Sequence, residues 1–161
     1  MNPIIFTDFD GVLTDDSTSY RTVKSQVEYG IAPKPFARLM QLAEKTGAKV
    51  VVSSNWRRHP HGIEINGEHF ANPLPTLVAA LGDRFAGYLP DGPWKCDKAI
   101  ALGLWFDEHP DFDGNFVCFD DQDEGYRDAG FSAHFVKTTA SVGISEENVR
   151  DAESVLLTPW Q

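Results

Sequence analysis

Three short apolar runs in this 161-residue chain each end in a cluster of polar residues. Ile4-Ile5-Phe6 leads into Asp8-Phe9-Asp10-Gly11, Val50-Val51-Val52 into Ser53-Ser54-Asn55, and Phe116-Val117-Cys118-Phe119 into Asp120-Asp121. The middle run is entirely β-branched, as a strand buried on both faces should be. Between the runs the period changes. From Pro35 to Lys45, Phe36, Leu39, Met40, Leu42 and Ala43 recur at helical spacing, and Gly47 is a helix stop. A second helix is expected from Pro73 to Leu81, with Asn72 as N-cap and Pro73 at the first helical position. Asp97 is placed to cap a third, from Lys98 to about Phe106. Glu124 to Ala129 reads as a short helix and Ser132 to Val136 as a further strand. Ser145 caps a last helix, where Glu146 and Glu147 suit the dipole. Strands separated by helices predict an α/β fold in three layers, with a central parallel sheet. In such sheets reactive groups gather at the carboxyl ends of the strands. Three polar clusters distant in sequence are therefore expected on one edge.

Composition narrows the class. The length suits a single domain over residues 1–161. A formal net charge of −10 gives no overall field to draw in nucleic acid or an anionic membrane. Neither Cys96 nor Cys118 belongs to a metal-binding pair. Two reduced thiols, no leader segment and no apolar run of membrane-spanning length are the marks of a cytoplasmic protein.

The polar clusters carry the chemistry. Asp8 and Asp10, two apart on an extended chain, point the same way and repel each other unless a cation sits near them. Gly11 permits a sharp turn directly after them. Asp120-Asp121 repeats the arrangement at a later strand end, and a hard cation such as Mg²⁺ takes carboxylates, water and phosphate oxygens. Ser53 and Ser54 offer hydroxyl and amide donors suited to a phosphate oxygen. Lys98 opens a helix, where its ammonium and the helix N-terminus can face the same anion.

Taken in order, these residues resemble the haloacid dehalogenase-like phosphohydrolase superfamily, from Ile4 to about Leu157. Asp8-Phe9-Asp10-Gly11-Val12-Leu13 is similar to its first motif, Val50 to Asn55 to the second, Lys98 to the lysine of the third, and Phe119-Asp120-Asp121 to the fourth. The resemblance implies a Rossmann-like fold, an aspartyl-phosphate formed on Asp8, and Asp10 as general acid and base. It also implies Mg²⁺ held by Asp8, the Asp10 carbonyl and Asp120, with Asp121 completing the shell. The transferring phosphate would be gripped by Lys98 and by Ser53 or Ser54, with Gly11, Asn55 and Arg57 joining the phosphate-binding set. Strand register favours Ser53, whereas Trp56-Arg57 aligns better on Ser54. Lys95 competes with Lys98. Asp10 argues against a dehalogenase, which has no phosphate leaving group to protonate.

The intervals between motifs are too short for a large cap domain, so the resemblance is to the small capless type with an open site. Thr14 to Ala32 reads as a flap loop carrying Tyr20 and Arg21, and Arg57 to Lys95 as an interval without room for a cap with its own sheet. Arg57, Arg58, His59 and His61 follow the second motif as candidate substrate contacts, and Trp56 reads as core packing. Trp105 to Pro110 and Gly143-Ile144-Ser145 are similar to small members, some of which are linked with nucleic-acid end repair. The implied partner is a phosphorylated substrate of unspecified size, with nucleic acid entering only as substrate, no membrane, and a monomer compatible with the sequence. Two rival readings are a receiver domain and a catalytically silent binding or regulatory member. A receiver carries its phosphorylated Asp on a middle strand, where this chain has Ser53.

Overall fold

A computed structural model describes residues 1–18, 20–23, 26–93 and 96–158, with 20–23 and 26–29 described by backbone alone. The chain runs β1 (Ile4–Thr7), β2 (Tyr20–Val23), β3 (Gln26–Tyr29), α1 (Pro33–Thr46), β4 (Lys49–Val52), β5 (Ile63–Ile65), β6 (Glu68–Phe70), α2 (Leu74–Leu81), β7 (Phe85–Tyr88), α3 (Lys98–Glu108), β8 (Phe116–Asp120), β9 (Phe135–Lys137) and α4 (Glu146–Leu157). Five strands form one parallel sheet in the order β7-β4-β1-β8-β9. Chain order turns back on either side of β1, which pairs with β4 on one edge and β8 on the other. The fold is the expected three-layer α/β type, without a large cap domain.

Alternation along the strands divides the core in two. Ile5, Val50, Val52, Val117 and Phe119 face α1, α2 and α4, meeting Leu39, Leu42, Leu77 and Leu156. Ile4, Phe6, Val51, Phe116 and Cys118 face α3, meeting Ala101, Leu102 and Trp105. This second core is aromatic, with Phe6 edge-on to Trp105 at 5.1 Å and to Phe116 at 6.1 Å.

The helix signals mostly hold. Gly47 ends α1 in the left-handed region at φ 74. Ser145 caps α4 by accepting from the Asn148 N–H at 3.1 Å, and Asn148 Oδ1 accepts from the Ser145 N–H at 3.0 Å. Pro73, expected as the first helical residue, is the N-cap of α2, but Asn72 Oδ1 still accepts from the Leu74 N–H at 2.8 Å. Asp97 stands at the N-cap of α3, but its carboxylate makes no capping bond; its carbonyl accepts from the Ile100 N–H at 3.0 Å instead.

Three expectations change. Glu124 to Ala129 is a run of turns, not a helix, since Gly125 and Gly130 both take positive φ and close it at either end. The expected strand from Ser132 begins with a 3₁₀ turn at Ser132–His134, so β9 is displaced to Phe135–Lys137. The intervals 14–32 and 57–95 contain strands. Each contributes a hairpin, and β3 pairs in parallel with β6 to join them as one four-stranded sheet in the order β2-β3-β6-β5. Neither interval alone has room for a sheet, but together they build a small one.

Candidate active site

The ladder of the parallel sheet continues past the strand ends and fixes the backbone of the polar clusters. The Asp8 N–H donates to Phe119 O at 3.1 Å, the Ser53 N–H to Thr7 O at 2.8 Å, and the Thr138 N–H to Asp120 O at 2.9 Å. The chain then leaves β1 in a tight turn, with the Leu13 N–H donating to Phe9 O at 2.8 Å. Gly11 sits in that turn at φ 73, and a Cβ there would lie 2.5 Å from Asp121 Oδ2. A side chain at position 11 is thus excluded both by backbone conformation and by space. The Gly11 N–H donates to Thr14 Oγ1 at 2.8 Å, so this amide, expected to bind phosphate, is occupied within the loop. Gly11 contributes room for Asp121.

At the centre, Lys98 Nζ lies 3.0 Å from Asp8 Oδ2 and 2.8 Å from Asp120 Oδ2. All three groups are buried. Lys98 reaches them from the first residue of α3. Burial raises the Asp8 carboxyl above the ordinary carboxylate range; Lys98 opposes this and the nearby Asp120 reinforces it. Burial likewise raises Asp120, again against Lys98. Burial alone would lower the Lys98 ammonium, but the two carboxylates hold it above its usual value. The Tyr126 hydroxyl donates to Asp120 Oδ2 at 3.3 Å and the Gln122 N–H to Asp120 Oδ1 at 3.1 Å, so this carboxylate is held on both oxygens.

The residues present fit a hard divalent cation. Asp8, Asp120 and Asp121 each offer one oxygen, all within 4.8 Å of one another. Three carboxylates against one ammonium leave the cluster negative, and the donor set is the all-oxygen kind that suits Mg²⁺. Asp10 stands outside this trio. Its carboxylate accepts at Oδ2 from the Trp56 indole Nε1–H at 2.9 Å instead. Burial raises the Asp10 carboxyl, and the Trp56 hydrogen bond works against that shift.

Beside the cluster lies a cavity of about 360 Å³, lined by Asp8, Asp10, Ser54, Asn55, Trp56, His59, Ile63, Lys98 and Glu124. The two serines differ in kind. Among the described residues Ser53 Oγ, which is buried, has no hydrogen-bond partner, although Ser53 does not line the cavity. Ser54 lines it, and its Oγ accepts from the Trp56 N–H at 3.2 Å, keeping its own proton to donate. A buried polar atom without a partner is costly unless something binds it, which favours the Ser53 hydroxyl as the phosphate donor.

Arg57 does not meet the expectation of substrate contact. Its guanidinium donates to Leu89 O at 2.9 Å, Ser53 O at 3.0 Å, Ser54 O at 3.2 Å and Pro90 O at 3.2 Å. It ties the end of β4 to the loop after β7 and builds the wall of the site from behind. Of the stretch 57–61, only His59 lines the cavity among the described residues. Lys95 lies outside the described residues, as do the side chains of Tyr20 and Arg21.

Three contributors were missed by sequence reasoning. Trp56 packs in the core as expected, but it is also bonded to Asp10. Nothing in a sequence announces a bond between residues 46 apart. Ile63 comes from β5, whose hairpin did carry a signal. Asn66-Gly67 between Ile65 and Glu68, with φ 51 and 79, is the two-residue turn that favours tight hairpins. Tyr126 lay in the segment misread as a helix.

A family model described as "HAD domain in Swiss Army Knife RNA repair proteins" matches residues 4–149. No curated protein matches the chain.

Proposed function

The chain belongs to the HAD-domain family of Swiss Army Knife RNA repair proteins, and on that premise we propose that it is a Mg²⁺-dependent phosphomonoester hydrolase acting through Asp8. The observation that carries this reading is Lys98 bridging Asp8 and Asp120 at 3.0 and 2.8 Å, with an Asp121 oxygen in the same cluster. A nucleophilic carboxylate needs nearby positive charge to meet the oxygens of an incoming phosphate, and this arrangement supplies it. The family is phosphatase-like, which supports hydrolysis over simple binding.

In this reading an Asp8 oxygen attacks the phosphorus in line. A P–O bond to Asp8 forms as the P–O bond to the leaving group breaks. Asp10 passes a proton to the departing oxygen. A water then attacks the phosphorus and gives a proton to Asp10, and the Asp8–P bond breaks to release phosphate. The Ser53 hydroxyl, with Ser54 and Asn55 beside it, donates to phosphoryl oxygens, and Lys98 balances their charge. Mg²⁺, held by Asp8, Asp120 and Asp121 with the Asp10 carbonyl, would neutralise the same oxygens as a Lewis acid.

For the substrate, the family description supports a phosphate on an RNA end. A cavity open at the strand edge suits a terminal phosphate on a large molecule. The −10 charge means that binding must come from the site and not from the overall field. The test is phosphate release with Mg²⁺ from 3′- and 5′-phosphorylated oligoribonucleotides, nucleotides and an aryl phosphate, native chain against Asp8→Asn. Turnover of an RNA end that is lost in Asp8→Asn is the expected result. Nucleotides turned over in preference to RNA ends would redirect the substrate assignment, and equal activity in Asp8→Asn would sink the mechanism.

A further inference from the structure

The Trp56 indole is buried and donates from Nε1–H to Asp10 Oδ2 at 2.9 Å. The ring is itself well anchored. Its backbone N–H donates to Ser54 Oγ at 3.2 Å, and its carbonyl accepts from the His59 N–H at 2.9 Å and from Asn72 Nδ2 at 2.9 Å. Asn72 in turn accepts at Oδ1 from the first N–H of α2. The donor on Asp10 is therefore tied to the end of β4 through Ser54 and to a helix through Asn72.

A general acid must keep one oxygen for its proton and hold that oxygen toward the leaving group. A free carboxyl rotates about its Cβ–Cγ bond and offers either oxygen. An indole N–H is a donor only, with no lone pair and no titration near neutral pH. Bonded to Oδ2, it holds that oxygen as an acceptor in both protonation states of Asp10 and can never take the proton itself. Oδ1 is left to carry the proton to the leaving oxygen and to receive one from water. A serine or histidine in the same place could accept the proton and divert it.

We propose that Trp56 is a positioning residue for acid–base catalysis by Asp10, selecting Oδ1 as the proton-carrying oxygen. This rests on the reading of Asp10 as general acid given above. Its consequence is selective. The contribution of Trp56 grows with the need of the leaving group for a proton. An alkoxide, such as a ribose hydroxyl, needs protonation as it departs. A nitrophenolate hardly does.

The experiment compares native chain and Trp56→Phe on p-nitrophenyl phosphate and on a nucleoside monophosphate or phosphorylated oligoribonucleotide. The readout is kcat/KM, which reports the steps through departure of the leaving group. The expected loss is roughly 10- to 100-fold on the ribose ester and under about 3-fold on the aryl ester, a part of the roughly 10²- to 10⁴-fold that a general acid contributes, as suits a residue that positions the acid. An equal loss on both, or no loss on either, overturns the inference and leaves the phosphatase reading standing. A native chain that hydrolyses neither ester overturns the reading itself. In an Asp10→Asn background, Trp56→Phe should cost less than about 2-fold more, since the two act as a unit; independent, multiplicative losses would overturn the inference. Should Trp56→Phe fold poorly, a benzothiophene side chain placed at position 56 keeps the ring and removes the N–H. The same leaving-group dependence is expected of it, and full retention of both activities would overturn the proposal.

Discussion

The parallel sheet and the small four-stranded sheet differ in what surrounds them. Every residue of β1 and β8 is buried, and so are the last three of β4. In β5 and β6 every residue is exposed or half-buried, and Ile65 keeps 46% of its surface in solvent. A strand packed on both faces cannot slip by one residue without turning its apolar side chains into the wrong core. That packing makes the ends of β1, β4 and β8 suitable for holding Asp8, Ser53 and Asp120 in fixed register. Of β5 and β6, only Ile63 and Phe70 pack against the larger core among the described residues. The small sheet sends Ile63 to the cavity wall, while the carboxylate cluster sits at the ends of the buried strands. The contrast teaches that strands buried on both faces hold the clustered carboxylates, while a half-exposed hairpin borders the cavity through Ile63.

The sharpest challenge to that division is Asp8→Asn, expected to lower kcat on an aryl phosphate by about 10⁴-fold or more. No substitution in β5 or β6 should approach this, and one that did would dissolve the contrast. Lys98→Ala should cost about 10²- to 10³-fold in kcat, the scale for removing a fixed charge from a transition state. Gly11→Ala, read by chemical denaturation, should lose about 2 kcal/mol, from the left-handed backbone and the collision with Asp121.

Mg²⁺ binding gives a smaller effect with a definite pH dependence. The folded-state pKa values of Asp8 and Asp120 lie above the unfolded ones, chiefly through burial. Stability from these groups in the cation-free chain is therefore present at low pH and lost as pH rises through the raised values. Mg²⁺ competes with those protons, so its stabilisation should grow over the same rise. At ten times its dissociation constant it is worth about 1.4 kcal/mol, or roughly 3–5 °C in Tm at pH 7.5 for a chain of this size. Thermal melts should show the shift shrinking toward pH 5 and vanishing in Asp120→Asn. Least of all, Gly67→Ala in the β5–β6 turn should cost about 1 kcal/mol through its φ of 79 alone, since no atom lies within 4 Å of a Cβ there. Hydrolysis of a small aryl phosphate should stay within about 2-fold of native. A larger loss would mean that the small sheet supports the catalytic groups after all.

Much of the site was legible because its residues sit where local rules are strongest. Asp8, Asp10, Asp120 and Asp121 follow short, continuously apolar runs that read as strands buried on both faces, which puts them at strand ends, and strand ends of a parallel sheet share an edge. The caps at Asn72 and Ser145 were equally local. The misreadings came where local rules compete. Between Gly125 and Gly130 a helical pattern lost to two residues that prefer positive φ, and Asn66-Gly67 announced a hairpin amid many other loop residues.

The sequence by itself determined the buried strands β1, β4 and β8, the four helices, and the edge on which Asp8, Ser53 and Asp120 meet, because these follow from continuous apolar runs and a helical period along the chain. Only the tertiary structure decided which groups touch. It placed Lys98 between Asp8 and Asp120, turned Arg57 away from the cavity to bind four carbonyls, gave Asp10 the indole of Trp56, and joined two unremarkable intervals into one sheet through β3 and β6. Such pairings depend on the packing of segments far apart in the chain, and no local pattern encodes a distance between them.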